Sequence, residues 1–350
     1  MGMIKQWIRT GLVLLISLLG LLVTTQASAN TVGFTVAPQL PKNQVDQSVP
    51  YFDLKLDPKQ EQTVGVVVKN TSGHAITVHV SQVRATTNIN GAVEYKPLEE
   101  NKSINLPADF ADLVTTKQPT LKLKKGENRL VNFKIKMPAK QYPGVVVGGL
   151  TFLKKTDQTQ TKQEAAVKNQ YSYTVATVLH GSHDLKKNHL TLGTVKGSQQ
   201  NGYNEITLAL QNRTAAFLNK VQTNVKIYHR GGHKVLYQEK KQNGQMAPNS
   251  VYQLPLKVGN EALKPGKYTA KLTVDSKKQH WEFTKNFVIT GKQAQKLNQN
   301  AVIDHQVNWW LWIGIGLLIL LLLLLLAWYI YRKQRKIKAL ERELEEQKQQ

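Results

Sequence analysis

The 350-residue chain contains no cysteine. That absence excludes disulfide staples, thiolate metal sites, thiol catalysis and a lipid anchor on an N-terminal cysteine. An exported domain without disulfides must be held by a buried core of full size. Acidic residues are also scarce, 23 against 47 lysines and arginines, which leaves a formal net charge of +24. No Gly-x-Ser-x-Gly elbow, P-loop or His-Glu-x-x-His stretch is present, so the enzyme classes built on those motifs are not indicated. No LPxTG-like sequence precedes the C-terminal apolar run, and covalent sorting to a cell wall is therefore not expected.

What is present is apolar sequence at both ends. Residues 11–23 form an uncharged run after Lys5 and Arg9 and lead to Ala27-Ser28-Ala29, the pattern of a signal peptide over residues 1–29. Residues 309–331 form a second uncharged run, long enough to cross a bilayer. Arg332, Lys333, Arg335, Lys336 and Lys338 follow it, whereas Asp304 and His305 precede it. The positive-inside rule then places the basic tail, residues 332–350, in the cytoplasm and the large central region outside. Trp309, Trp310 and Trp312 at one end of the run, and Trp328, Tyr329 and Tyr331 at the other, suit the two interfaces of a membrane span. The tail carries Ile337, Leu340 and Leu344 at helical spacing and is expected to continue the membrane helix.

Between the two apolar ends lie 38 of the basic and 19 of the acidic residues, an excess of about 19 positive charges. A field of that size favours polyanions. An outer location makes anionic wall polymers the expected partners and argues against nucleic acid.

The central region reads as β-structure throughout. Residues 64–69 and 74–87 alternate apolar and polar with a period of two, and Asn70-Thr71-Ser72-Gly73 separates them as a turn. Asn90-Gly91 signals a hairpin before residues 92–95. Residues 121–123, 129–137 and 145–153 complete a first set of at least six strands. A second set spans residues 171–179, 190–195, 205–211, 221–228, 234–237, 251–258, 268–274 and 281–289. The spacing suits two β-sandwiches. The expected organisation is all-β: an Ig-like domain at 30–155, a polar linker at 156–169, a second Ig-like domain at 170–290, a polar stalk at 291–308 and one C-terminal transmembrane helix. The sets echo one another. Asn70-Thr71-Ser72 corresponds to Asn212-Arg213-Thr214, and Tyr142-Pro143-Gly144 to Lys264-Pro265-Gly266, 142 and 122 residues apart.

Candidate chemical groups are few. His180 and His183 stand beside Asp184, but an H-x-x-H spacing off a helix does not align two metal ligands, and a solvated loop is the better reading. Asp109 and Asp112 flank Phe110, and Glu99-Glu100 form another acidic pair. Nothing in the sequence sets two carboxylates across one bond as a wall hydrolase requires. Asn70, Asn101 and Asn212 formally begin glycosylation triplets and read better as turn residues. No catalytic residue, metal site or cofactor is expected, and no ligand-binding residue is assigned. Gly148-Gly149 within an apolar strand indicates a bulge or a close backbone approach; if that strand lay at an edge, it could pair with a partner's strand.

Several short elements resemble the WxL-interacting protein family. They are Phe34-Thr35-Val36-Ala37-Pro38, Pro41-Lys42-Asn43-Gln44, Tyr51-Phe52-Asp53-Leu54, Gln62, residues 66–70, Asn90-Gly91 with Tyr95, and Val147-Gly148-Gly149-Leu150-Thr151-Phe152. The order of signal peptide, two β domains, membrane helix and basic tail agrees with that family. The resemblance implies a non-enzymatic surface adaptor of Gram-positive bacteria. Its first domain would bind peptidoglycan and its second host extracellular-matrix proteins, with secreted Trp-x-Leu (WxL) proteins as further partners. The alternative is a membrane-tethered assembly chaperone acting by β-strand addition.

Overall fold

The computed structural model describes residues 32–96, 105–155, 170–302 and 309–348. The signal-peptide segment, the linker at 156–169, Glu99-Glu100 and Asn101 lie outside these residues.

The first half of the chain folds as two facing sheets. One has the order β1 (Phe34–Gln39), β3 (Glu61–Asn70), β8 (Asn128–Lys136) and β6 (Val114–Thr115). The other runs β2 (Phe52–Lys55), β10 (Ser172–His180), β9 (Val145–Lys154), β4 (Ile76–Thr87) and β5 (Val93–Tyr95). β7 (Thr120–Leu123) pairs with the opening residues of β4, and β5 with its closing residues. Alternation supplies the core between the sheets. Val64, Val66 and Val68 of β3 and Val131, Phe133 and Ile135 of β8 meet Ile76, Val78 and Val80 of β4 and Leu150 and Phe152 of β9. All pairings are antiparallel except β2 on β10, which is parallel. A one-turn helix, α1 (Phe110–Leu113), carries Phe110 into this core.

The second sandwich faces a sheet of β11 (Leu190–Gln200), β12 (Tyr203–Asn212) and β15 (Ser250–Lys257) against one of β14 (Val235–Met246), β13 (Leu218–His229), β16 (Gly266–Ser276) and β17 (Gln279–Ile289). Its core joins Ile206, Leu208 and Leu210 to Val225, Ile227, Leu272 and Val274. The connectivity repeats that of the first sandwich. β1-β3-β8 corresponds to β11-β12-β15, and β4-β9-β10 to β13-β16-β17.

Two boundaries differ from the sequence expectation. β10, assigned from sequence to the second domain, is the last strand of the first sandwich and pairs with β9 from Ser172↔Leu153 to His180↔Val145. Strand periodicity tells which face of a strand is buried and not which sheet receives it. The segment expected to be a stalk from residue 291 begins with a helix, α2 (Gly291–Gln299), whose Ala294 and Leu297 pack on the second core. Thr290 caps it by accepting from the backbone N–H of Gln293, and the Thr-x-x-Gln spacing is a helix-start signal legible in the sequence.

A third apolar cluster joins the sandwiches. Ala85, Val145, Val147 and Val178, on the outer face of the second sheet, pack with Ala247 and Phe217 of the second sandwich. α3 (Trp309–Lys348) is a single helix whose segment Trp312–Lys338 is long and apolar enough to cross a membrane.

Candidate functional site

The residues that carry chemistry by type are mostly engaged in scaffold. Asp109 caps α1 by accepting from Ala111 N and faces Arg84 at 3.5 Å. The His180 ring sits between Asp53, 2.6 Å from Nε2, and Asp184, 3.6 Å from Nδ1, while His183 Nδ1 contacts Ser182 Oγ at 3.0 Å. The two histidines therefore find different partners, and His180 ties β10 to β2. Among the described residues no three His, Cys, Asp or Glu side chains group as a metal site.

The glycine pair is explained by close approach. The ladders on both sides of β9 run without a register shift, so there is no bulge. A Cβ on Gly148 would fall inside the ring of Phe110, and one on Gly149 would strike Thr174 and the ring of Tyr95. β9 lies between β10 and β4, so it is not an edge and offers no place for a partner's strand.

The short N-terminal elements also prove to be joinery. Asn43 and Gln62 exchange two side-chain hydrogen bonds, at 2.9 and 3.0 Å. Gln44, 7% exposed, donates to the carbonyl of Tyr51, and its own backbone bridges to Leu54. These contacts strap residues 41–44 over the outer edge of β2.

Among the described residues, three concave surfaces stand out. A pocket of about 260 Å³ at one end of the first sandwich is lined by Lys55, Asp57, Lys140, Gln141, Tyr142 and Ser182, among others. Its floor is backbone held in place: Ser182 N donates to Tyr142 O at 2.8 Å, and Tyr142 Oη donates to Leu179 O at 3.2 Å. Burial of that phenol pushes its pKa well above the tyrosine range, so it stays a neutral donor. Two ammonium groups, a carboxylate and an amide around a firm floor suit a short peptide bearing both charge signs.

A second, shallower surface of about 570 Å³ surrounds the turn between β7 and β8, with Lys122, Lys124, Lys125 and Arg129. Its one carboxylate, Glu127, accepts from Lys124 N at 2.7 Å and pairs with Arg129. Those bonds hold its pKa below the usual carboxylate value and leave the surface net basic. The third, of about 700 Å³, lies where the β4–β5 hairpin of the first sandwich meets the second.

Similarity to known proteins now bears on these surfaces. Residues 34–154 match the peptidoglycan binding domain of WxL Interacting Protein, and residues 162–299 match its host binding domain. The chain belongs to the WxL-interacting protein family. Both matched domains are binding domains. The second match begins ahead of β10, a strand that pairs within the first sandwich. No curated protein is detectably similar in sequence. Similar solved structures include a chain of the chaperone–tip adhesin complex of CFA/I fimbriae biogenesis, at 9% identity and TM-score 0.30, over 73% of this chain and 97% of that one. The YadV chaperone is 11% identical with TM-score 0.29, over 73% and 100%. A PapD-like domain of human CEP192 is 8% identical with TM-score 0.27, over 46% and 94%. At these scores the likenesses say nothing about function.

Proposed function

We propose that the chain is a non-enzymatic adaptor of the Gram-positive cell surface, held in the membrane by α3 with its basic tail inside. Its first sandwich grips peptidoglycan. Its second engages host matrix proteins, and the pair holds secreted WxL proteins at the surface. The match of residues 34–154 to a peptidoglycan binding domain carries this reading. The pocket beside Tyr142 supports it, because its mixed charges suit the peptide stems that peptidoglycan exposes. The basic turn at Lys122–Arg129 suits neighbouring phosphodiester polymers, through screened charge and without shape selection.

Co-sedimentation of the full chain, in detergent micelles, with purified sacculi tests the reading. Intact sacculi and sacculi stripped of anionic polymers are compared at low and high salt. Retention on stripped sacculi in high salt, lost with Lys55→Ala and Lys140→Ala together, is the expected result. Retention that disappears on stripping would reduce the wall contact to charge and overturn the assignment to peptidoglycan.

A further inference from the structure

The largest of the three concave surfaces is unexplained by the wall contact. It is lined by Asn90 from the first sandwich and by Tyr203, Asn204, Glu205, Glu239 and Lys241 from the second. Its walls come from several segments, and contacts across the seam hold them together. Gly91 takes a positive φ of 72° and lies against the Tyr252 ring. Its carbonyl accepts from Gln245 N at 2.7 Å. The Asn-Gly turn is thus a latch between domains as well as a hairpin. On the other side Val302 N donates to Gly202 O at 2.7 Å, so the cleft lies on the end of the second sandwich from which the chain departs toward α3.

The lining carries unused hydrogen-bonding capacity of both kinds. Asn204 is 2% exposed and donates to Glu261 O and Asn298 Oδ1, yet its own Oδ1 has no donor. Lys241 Nζ reaches Ile89 O only at 3.4 Å and Glu239 only at 3.9 Å, long for a group with three donors. Burial holds its ammonium below the ordinary lysine value, a sign of incomplete solvation. Tyr203 is 47% exposed, an aromatic face available for stacking.

Two carboxylates, Glu205 and Glu239, are balanced by two lysines, Lys241 and Lys257, so the lining favours neither a polyanion nor a cation. Amides, carboxylates and ammoniums around an aromatic ring instead match a ligand that donates and accepts at many points without net charge. We infer that this inter-domain cleft is a binding site for a neutral oligosaccharide, stacked on Tyr203 and hydrogen-bonded by Asn204, Glu239 and Lys241. The inference does not rest on the wall-binding reading, since the pocket beside Tyr142 is made of other residues.

The test uses the full chain in nanodiscs with three neutral probes: chitotriose for wall-type glycan, a lactosamine trisaccharide for animal surface glycan, and maltotriose for hexose in general. Calorimetry and saturation-transfer NMR read binding. At least one probe is expected to bind with millimolar or tighter affinity, little changed by salt. Tyr203→Ala and Lys241→Met should each weaken it roughly tenfold, and Asn90→Ala should weaken it through the first sandwich. Which probe binds identifies the source of the glycan. Lys55→Ala with Lys140→Ala should leave probe binding unmoved, so the two readings fail separately. No binding of any probe at about 10 mM, or binding that both variants leave intact, overturns the inference.

Discussion

Asn70 and Asn212 occupy the same place in the two sandwiches, and each is fully buried. Asn70 Nδ2 donates to the carbonyls of His74, Leu123 and Lys124, and its Oδ1 accepts from Ser72 N. Asn212 Nδ2 donates to Ala216 and Ala247, and its Oδ1 accepts from Thr214 N. One amide thus turns the chain after a strand and clamps a neighbouring segment, twice. A glycosylation acceptor needs an accessible Nδ2, and these two are consumed. The second correspondence behaves differently. Gly144 has φ +79°, and a Cβ there would overlap the carbonyl oxygen of Ala215, which accepts from Val145 N at 2.7 Å. Gly266 has no positive φ, and a Cβ would meet only the Tyr268 ring at 3.2 Å and beyond. The buried clamp is shared scaffold. The Pro-Gly turn was adapted in the first sandwich to receive the second.

The largest expected effect follows from that divergence. Gly144→Ala should cost about 3 kcal/mol, because the residue needs a left-handed backbone and the obstacle is another backbone. Gly266→Ala should stay within about 1 kcal/mol, since an aromatic ring edge can give way. Urea unfolding of the two variants checks this, and equal costs would break the proposed division of roles.

Removing the clamps should come next. Asn70→Ala removes three contacts to carbonyls and Asn212→Ala removes two, but Lys124 O keeps Glu127 N, Ala216 O keeps Asn188 Nδ2 and Ala247 O keeps Ser250 Oγ, so losses of about 2 and about 1 kcal/mol are expected. Calorimetry should show the deeper loss in the first sandwich, and the reverse order would mean that the two amides are not equivalent.

The seam between the sandwiches offers a comparable effect. Thr87 Oγ1 lies 2.6 Å from Ser250 Oγ and accepts from Ala247 N at 3.0 Å. Thr87→Val keeps the shape and removes both bonds, for an expected loss of about 1–2 kcal/mol. Limited proteolysis near Asn249 should quicken if the seam loosens.

Smallest is a pH effect confined to the second sandwich. Donation from the imidazolium to Asp275 at 2.7 Å, with a weaker bond to Glu282, raises the pKa of exposed His280 above its ordinary 6.5. A raised folded-state pKa gives stabilisation present below pH 6.5 and lost as pH rises through the folded value. NMR titration of His280 should show a midpoint above 6.5 that falls with Asp275→Asn.

Much of the scaffold could be read from the chain. The alternation over residues 64–69 and 129–137 gave strands with the right faces inward, and the two Asn turns announced a repeat that the topology bears out in the six central strands of each sandwich. Three things were hidden for physical reasons. The pairing of β10 depends on long-range register, which local period does not encode. α2 has only Ala294 and Leu297 as apolar anchors, too few for a visible stripe, although its capping signal was present. The inter-domain cleft draws single residues from distant segments, so no spacing could announce it. The Asn-Gly hairpin was recognised as a turn, but its docking on Gln245 and Tyr252 is a tertiary fact.

The central claim is that the wall contact belongs to the first sandwich. Hydrogen exchange of the full chain with and without soluble muropeptides tests it most directly. The account predicts added protection around Lys55–Pro58, Lys140–Tyr142 and Gly181–Ser182, with the second sandwich unchanged. Protection confined to residues 190–299 would contradict it.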